Sequence, residues 1–595
     1  MDNKRLYALR TLMLQHGMDA YLVPTSDFHA SEYIAEHFQA RRFLSGFTGS
    51  AGTLVVLNCE AGLWTDGRYF LQAERELKDS GIVLYRMGED GVPTIGEYLK
   101  EKLPEGGVLG LDGRTVDAGF CEALRDTVGQ AGLRIKGEHD LAGDVWENRP
   151  TLPSAPGFLL EQKYAGVQSA QKLMDLRQEM QRLGASVHVL TTLDDIAWLF
   201  NIRGADVEFT PVMLAYAVIE KDRAYLFADG NKLNDEIRAA LAEVNTEILP
   251  YDDLYEFVSR YSKEDSVLIC KKRVNYALYS VLSACSRIID GDNPTTLKKA
   301  IKNAVEIENM RRVHVQDGIA VTKFIYWLKT NAGKVEMDEA SAAKRLDAYR
   351  MERPGCIGPS FSTIAGYGEN AAIVHYHAAD EGSRNIEPEG LLLLDSGGQY
   401  FGGTTDITRT IALGFVPAEQ KHAFTLILQG MLRLMNLCFP YGCRGNNLDA
   451  VARAPLWAHH MNYNHGTGHG VGYMLCIHEQ PNAFRYRQMQ GEEACVLEPG
   501  MLTSDEPGMY VAGKFGIRTE NLILCREAEQ NEFGRFLCFE TLTLAPIDLD
   551  AVDSSLLCEQ EKQWLNEYHA RVYHSIAPHL TEDERTWLFK ATQPV

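Results

Sequence analysis

Positive charge is in short supply in this 595-residue sequence: 59 lysines and arginines stand against 81 aspartates and glutamates, a formal net charge of −22. That balance argues against a nucleic-acid partner, whose phosphates need cations, and favours solubility. No apolar run approaches about 18 residues, so no membrane-spanning helix is expected. The opening stretch MDNKRLYALRTLMLQHG has basic residues but no apolar core before a small-residue cleavage site, so no secretory signal is expected. The twelve cysteines are scattered without a C-x-x-C pair. In a chain of this length they read as reduced core thiols of a cytosolic protein rather than a disulfide framework.

Hydrophobic residues make up 45% of the chain, enough for sizeable cores, and the length favours several domains. Residues 1–155 read as an α/β domain. A helical pattern runs from Leu6 to Gln15, and AYLV (20–23) is a strand. FLSGFTGSAGTLVVL (43–57) reads as strand and turn, GLWTDGRYFLQAEREL (62–77) as strand and helix. NRPTLPSAPG (148–157) reads as a linker. Residues 156–297 repeat the theme. LRTLMLQHGMDAYLV is echoed by LRQEMQRLGASVHVL (176–190), and LWTDGRYF by AYLFADGNKL (224–233), which points to a divergent duplication. Arg68 follows the first Asp-Gly, whereas Asn231 follows the second. Residues 298–595 open with a long helical pattern over 300–329 and turn to strands and glycine-rich turns from Phe361. Another helical stretch spans Glu419 to Leu437, and the tail over 559–588 reads as helices, with Trp564, Tyr568 and Trp587 expected to pack.

Two acid-bearing hairpins in this last part flank a histidine loop. LLLLDSGGQYFGGTTDITRT (391–410) delivers Asp395 at the end of a buried strand and Asp406 eleven residues later. SDEPGMYVAGKFGIRTEN (504–521) carries Glu506 and Glu520 either side of the turn VAGKFG. Between them, NHGTGHGVGYMLCIHEQP (464–481) holds His465, His469 and His478. A carboxylate at the end of a buried strand is costly unless something positive meets it. Four carboxylates converging without cations would repel one another and protonate. Two divalent ions would neutralise them, with the neutral imidazole of His469 completing the shell. Carboxylate oxygens with one imidazole suit a hard or borderline ion such as manganese, whereas a structural zinc site would more often use cysteine.

The ordered set Asp395, Asp406, His469, Glu506 and Glu520 resembles that of the dinuclear pita-bread metallopeptidases, which include methionine aminopeptidases, prolidases and Xaa-Pro aminopeptidases. The long, three-domain, cytosolic type of Xaa-Pro aminopeptidase is the nearer match. RRFLSGFTGSAGT, LWTDGRYFLQA, LDDIAWLFNIRG, the segment around HYH and the tail LLCEQEKQWLNEYHARV resemble it too, in order and spacing. The resemblance implies an α/β (α+β) fold: two related creatinase-like domains, 1–155 and 156–297, then a pita-bread catalytic domain, 298–595. It implies that Asp395 binds one metal, that Asp406 and Glu520 bridge both, and that His469 and Glu506 hold the second. It implies that His375 and His478 line the substrate site and steady the tetrahedral intermediate. Arg68 would reach toward the active site, with His465, Tyr510 and Arg518 as supporting residues near the metals. Two Mn2+ ions are expected, with Zn2+ or Co2+ as the other options, in a cytoplasmic homodimer acting on peptides with proline second. Gln480 and the pair Tyr473 and Met474 depart from the family pattern.

The bond such an enzyme cuts joins an N-terminal residue to proline, a tertiary amide with no N–H. A hydroxide bridging the two ions would be a nucleophile at neutral pH. Glu506 would take the water's proton, and His478 or His375 would donate to the developing oxyanion. Three other readings compete. A prolidase would cut only dipeptides and usually has one N-terminal domain. A metal-free binding module on this fold would have lost ligands, and a creatinase would not need this full set of acids.

Overall fold

A computed structural model describes residues 4–129, 132–378, 382–487 and 494–595. The chain forms two compact units: Met1–Leu160 with Val167–Thr295, and Glu161–Gly166 with Thr296–Val595.

The first unit holds two six-stranded sheets of one design. In one, the strand Ala20–Pro24 pairs antiparallel with Thr53–Leu57 and parallel with Val108–Leu111. In the other, Val187–Leu190 pairs antiparallel with Ala215–Glu220 and parallel with Ser266–Ile269. Each antiparallel side continues through a hairpin strand, Ala61–Thr65 or Ala224–Ala228, to a parallel edge strand, Val83–Arg86 or Thr246–Leu249. The helices that precede the two central strands match residue for residue. Lys4–Gln15 buries Leu6, Leu9 and Met13, and Ser169–Arg182 buries Leu173, Leu176 and Met180. That spacing of three and four puts the apolar side chains on one stripe of each helix. Two expectations need correcting. Residues 43–45 do not begin a strand; they end the helix Ala40–Ser45, which Gly46 closes at φ 75°, a conformation that glycine adopts without penalty. The cysteines are not all core thiols: Cys121, Cys270 and Cys525 are buried, but Cys59, Cys438 and Cys558 are exposed.

In the second unit the long helix starts later than its pattern suggests. Pro294–Ala300 is a separate helix, and Asn303 caps the start of Ala304–Asn331 in a reciprocal pair with Glu306. A three-stranded sheet joins Ile364–Tyr367, Leu391–Ser396 and Ile407–Ala412. A six-stranded sheet runs Cys438–Pro440, Gly534–Thr541, Asn521–Asn531, Leu502–Asp505, Gly468–Gly470, Glu479–Phe484. The hairpin Gly508–Val511 with Phe515–Arg518 stands beside them. Leu391, Ile427, Met431, Ile517, Leu537 and Leu565 share one apolar cluster that ties these sheets to the helices Ala418–Met435 and Glu559–Ile576. Trp564, Tyr568 and Trp587 pack on it. Tyr568 does more than pack: its hydroxyl accepts from Arg409 Nη2 at 2.8 Å and donates to the Ala545 carbonyl at 2.8 Å. Among the described residues, no helix is long and apolar enough to cross a membrane.

Candidate metal centre

Each acid of interest sits where a strand ends or begins. Asp395 is the penultimate residue of the buried strand Leu391–Ser396, in register with Ile364 on one side and Thr408 on the other. The run of leucines before it is continuous because strands lie on both edges and the whole strand is buried. Asp406 immediately precedes Ile407–Ala412. A Cβ on Gly397, in the LDSGG motif, would stand 2.0 Å from the Thr405 carbonyl, so only glycine lets the limbs carrying Asp395 and Asp406 close.

The second pair of acids brackets the other hairpin, whose register pairs Gly508 with Arg518. Glu506 N–H donates to the Thr467 carbonyl at 2.8 Å and Glu520 N–H to the Thr408 carbonyl at 3.1 Å. Those two bonds tether the hairpin to the histidine loop and to the strand that follows Asp406. His469 lies at the middle of Gly468–Gly470. Its Nδ1 donates to the Gly470 carbonyl at 3.0 Å. The lone pair of Nε2 is thereby turned toward Asp406 Oδ2 and Glu506 Oε1, each 3.6 Å away. The His478 ring crosses the His469 ring edge-on at 4.3 Å and 87°.

One ligand atom each from Asp406, His469 and Glu520 lie within 4.8 Å of one another. Arg518 connects Asp395 to them: its Nη2 pairs with Asp395 Oδ2, and its Nε stands 4.0 Å from Glu506 Oε2. Nη1 of the same guanidinium donates to the Tyr510 hydroxyl at 2.6 Å. That hydroxyl donates on to His465 Nε2 at 2.9 Å, and His465 Nδ1 donates to the Gly466 carbonyl at 2.7 Å. All five ligand candidates and three supporting residues thus form one connected constellation.

One arginine does not balance four buried carboxylates. Burial and the neighbouring Glu520 hold the Asp406 carboxyl well above the usual range, and burial and Glu506 do the same to Glu520. Burial pushes Glu506 up to about 7 against the opposing pull of Arg518. Burial, then Arg518, lowers His465 to about 3, which keeps its ring neutral. Asp395 Oδ1 and Glu520 Oε1 are buried without a hydrogen-bond donor. Buried carboxylate oxygens normally have a donor or a cation to meet them. Four carboxylates, one imidazole and these undonated oxygens fit a pair of divalent cations, and Asp395, Asp406, His469, Glu506 and Glu520 are the residues that could hold them.

The other expected residues fall in different places. His375 is half-buried in the turn after the short helix Gly368–Ala372. Its neighbour Tyr376 packs with Tyr510 on Ile364, Ala371 and Leu393, which docks that turn against the Asp395 strand. His377 is exposed and bonds Ser362 Oγ at 3.0 Å. Tyr473, one of the departures from pattern, accepts from Asn309 and donates to the Tyr164 carbonyl. Arg68 belongs to the other unit, where its Nε and Nη2 fork onto Asp66 at 2.8 Å each.

Several functional neighbours escaped the sequence reading. Thr408 donates to Glu520 Oε2 at 2.8 Å and accepts from Arg518 Nε at 3.1 Å. Ser504 Oγ accepts from His469 N–H at 2.9 Å. Arg409 Nη1 donates to the Glu520 carbonyl at 2.6 Å. Asp505, fully buried beside Glu506, has neither oxygen donated to. A visible signal existed: DITRT places three polar side chains on a buried strand beside an acid.

Comparison with known proteins follows the same partition. Residues 308–527 match the model of metallopeptidase family M24, and 535–595 that of the C-terminal region of peptidase M24. Residues 5–136 and 148–306 each match a creatinase/prolidase N-terminal domain model. The Sordaria macrospora protein named Probable Xaa-Pro aminopeptidase P is 40% identical over 610 residues, 99% of this chain and 99% of its own. Aminopeptidase P2 of Arabidopsis thaliana is 39% identical over 635 residues, 100% of this chain and 88% of its own. The crystal structure of the X-prolyl aminopeptidase of Caenorhabditis elegans, described as a cytosolic enzyme with a di-nuclear active site, superposes with a TM-score of 0.94. It is 34% identical and covers 100% of this chain and 99% of its own.

Proposed function

The chain belongs to metallopeptidase family M24 and, within it, to the Xaa-Pro aminopeptidases; from that premise we propose that it releases the N-terminal residue from peptides with proline in second position. The observation that carries the reading is the gathering of Asp395, Asp406, His469, Glu506 and Glu520 around oxygens that lack donors.

Asp395, Asp406, His469, Glu506 and Glu520 would hold two divalent cations, which when bound would supply a Lewis acid for the scissile carbonyl and lower the pKa of water into the neutral range. Manganese is the proposed ion, from the excess of carboxylate oxygen over nitrogen. The chain's own groups do the rest. Glu506 takes the proton of the attacking water and hands it toward the proline nitrogen. His478 and His375 donate to the oxyanion as it forms. Arg518 positions Asp395, with Tyr510 and His465 behind it. Arg68 is proposed to contact substrate. None of these groups needs the amide N–H that proline lacks. A homodimer in the cytoplasm completes the proposal.

Metal analysis paired with a peptide assay tests it. We expect two ions per chain, and cleavage of an Xaa-Pro-Xaa tripeptide but not of an Xaa-Pro dipeptide or an Xaa-Ala-Xaa control. Manganese-loaded protein that leaves every proline-second peptide whole overturns the reading. Cleavage of the dipeptide alone makes the chain a prolidase.

A further inference from the structure

Far from the acids, the edge of the six-stranded sheet brings two cysteines together. The edge strand Cys438–Pro440 pairs antiparallel with Gly534–Thr541, and the register sets Cys438 directly opposite Cys538. The kind of pair they form follows from the ladder. Tyr441 N–H donates to the Arg535 carbonyl at 2.8 Å, so 441 and 535 are a hydrogen-bonded pair. Hydrogen-bonded and non-hydrogen-bonded pairs alternate along an antiparallel ladder. Three steps back, 438 and 538 are therefore a non-hydrogen-bonded pair. Pro440 agrees: two residues on from Cys438 it holds the same kind of position, where an edge strand has no use for the missing N–H. In such pairs the Cα atoms stand about 4.5 Å apart with side chains on the same face. A disulfide spans roughly 4.4–6.8 Å between Cα atoms.

The face is the outer one. Phe439 and Leu537, the pair between, are buried in the core, while Cys438 is exposed and Cys538 half-exposed. We propose that Cys438 and Cys538 are a redox modification site, a cross-strand dithiol that a low-molecular-weight disulfide converts to an intramolecular disulfide. The exposed Cys438 thiolate attacks the small disulfide, forming a mixed disulfide and releasing one small thiol. The Cys538 sulfur then displaces the second small thiol, closing the protein S–S bond. The protein loses two thiol protons and two electrons, and the small disulfide is reduced to two thiols. Burial raises the Cys538 thiol, and the neighbouring Cys438 adds to that shift while Arg526, its register partner on the other side, opposes it. That division of exposure gives Cys438 the first step and Cys538 the resolving one. The strands Gly534–Thr541 and Asn521–Asn531 separate this edge from Leu502–Asp505 and Gly468–Gly470, so closure staples the sheet edge without touching the acids.

Incubating the full chain with oxidised glutathione, followed by peptide mapping under non-reducing conditions, tests the proposal. The expected product is a linked peptide pair containing Cys438 and Cys538, no glutathione retained on either, both of their thiols lost in addition to any modified at the exposed Cys59 and Cys558, and full reversal by dithiothreitol. The Cys538→Ser variant should instead keep one glutathione on Cys438. Exposed Cys59 and Cys558 serve as internal references for reaction. Three results overturn the proposal: stable glutathione on Cys438 of the unaltered chain with Cys538 reduced, both thiols unreacted while Cys59 and Cys558 are modified, or Cys438 linked to a second chain. The unaltered chain decides the matter even if the serine variant does not fold.

Discussion

Thr408 holds the centre together with a single hydroxyl: it receives from Arg518, gives to Glu520, and stands in register with Asp395. Residues like this one showed in the sequence only as polar side chains on a buried strand; their partners were not legible, because the contacts exist only once distant strands close. The ligands were legible because the chemistry dictates their types: oxygen donors and one imidazole can be counted before any fold is known. Arg409 and Tyr568 show the limit again, since their contact spans 159 positions of sequence. Two outcomes are expected at this scale. Glu506→Ala should fold, because removing one of several crowded carboxylates relieves repulsion, and should turn over at background. Loss of a general base alone is worth roughly 10²–10⁴ in rate, and loss of a ligand adds to it. A folded variant by circular dichroism that retains activity removes Glu506 from the mechanism. His478→Ala should lower kcat by roughly 10²–10³ with KM little changed, as loss of an oxyanion donor does. Steady-state kinetics that show only a raised KM assign His478 to binding instead.

At the scale of elements, the paired hairpins were readable from their glycines, but the close approach that requires glycine at 397, and at 468 in the histidine loop, was not. A Cβ on Gly468 would lie 1.8 Å from the Ser504 carbonyl, so only glycine at 468 lets the strand carrying His469 come this close to its neighbour. Gly468→Ala should push the strands apart, displace His469 and lower metal occupancy and activity together, alongside a melting temperature lowered by several degrees, since overpacking costs about 1–3 kcal/mol. Unchanged metal content after this substitution refutes the close-approach account. The second sheet carries a different liability. His188 is fully buried in Val187–Leu190, donates Nδ1–H to the Leu268 carbonyl at 3.0 Å and leaves Nε2 without a partner. Burial lowers it from the ordinary 6.5 to about 4. Between those values the unfolded chain binds a proton that the native chain refuses. Stability from this group is therefore full above the ordinary value and falls as pH drops toward the lowered one, by on the order of 3 kcal/mol. In His188→Leu the urea midpoint should fall less steeply with acid over that window. Parallel pH profiles for the two proteins exclude His188 as a source of acid sensitivity.

The molecule as a whole divides its labour. The duplicated sheets of the first unit were recoverable from sequence because Leu9 and Leu176, and Met13 and Met180, fill equivalent helix positions. The second unit was recoverable mainly by its motifs, since its strands pair in an order that is not sequential. The second unit alone carries the crowded acids, and its stability should therefore depend on cations while the first unit's should not. Without ions, Asp395, Asp406, Glu506 and Glu520 crowd one another, and among the described residues Arg518 is the guanidinium that pairs with Asp395 and stands beside Glu506. Ions that bind only the folded state stabilise it by mass action, by about 2.7 kcal/mol at a hundredfold excess over Kd. For a unit of this size that is several degrees of melting temperature, at roughly 2–4 °C per kcal/mol. Calorimetry of chelator-treated protein with and without added Mn2+ should raise one transition and leave another in place. Replacing Asp406 by Asn and Glu520 by Gln together should abolish the shift, because these two carboxylates, with His469, form the group whose ligand atoms lie close enough to hold an ion. Equal thermograms with and without the metal, or a shift that survives the double replacement, mean that these acids do not hold the cations.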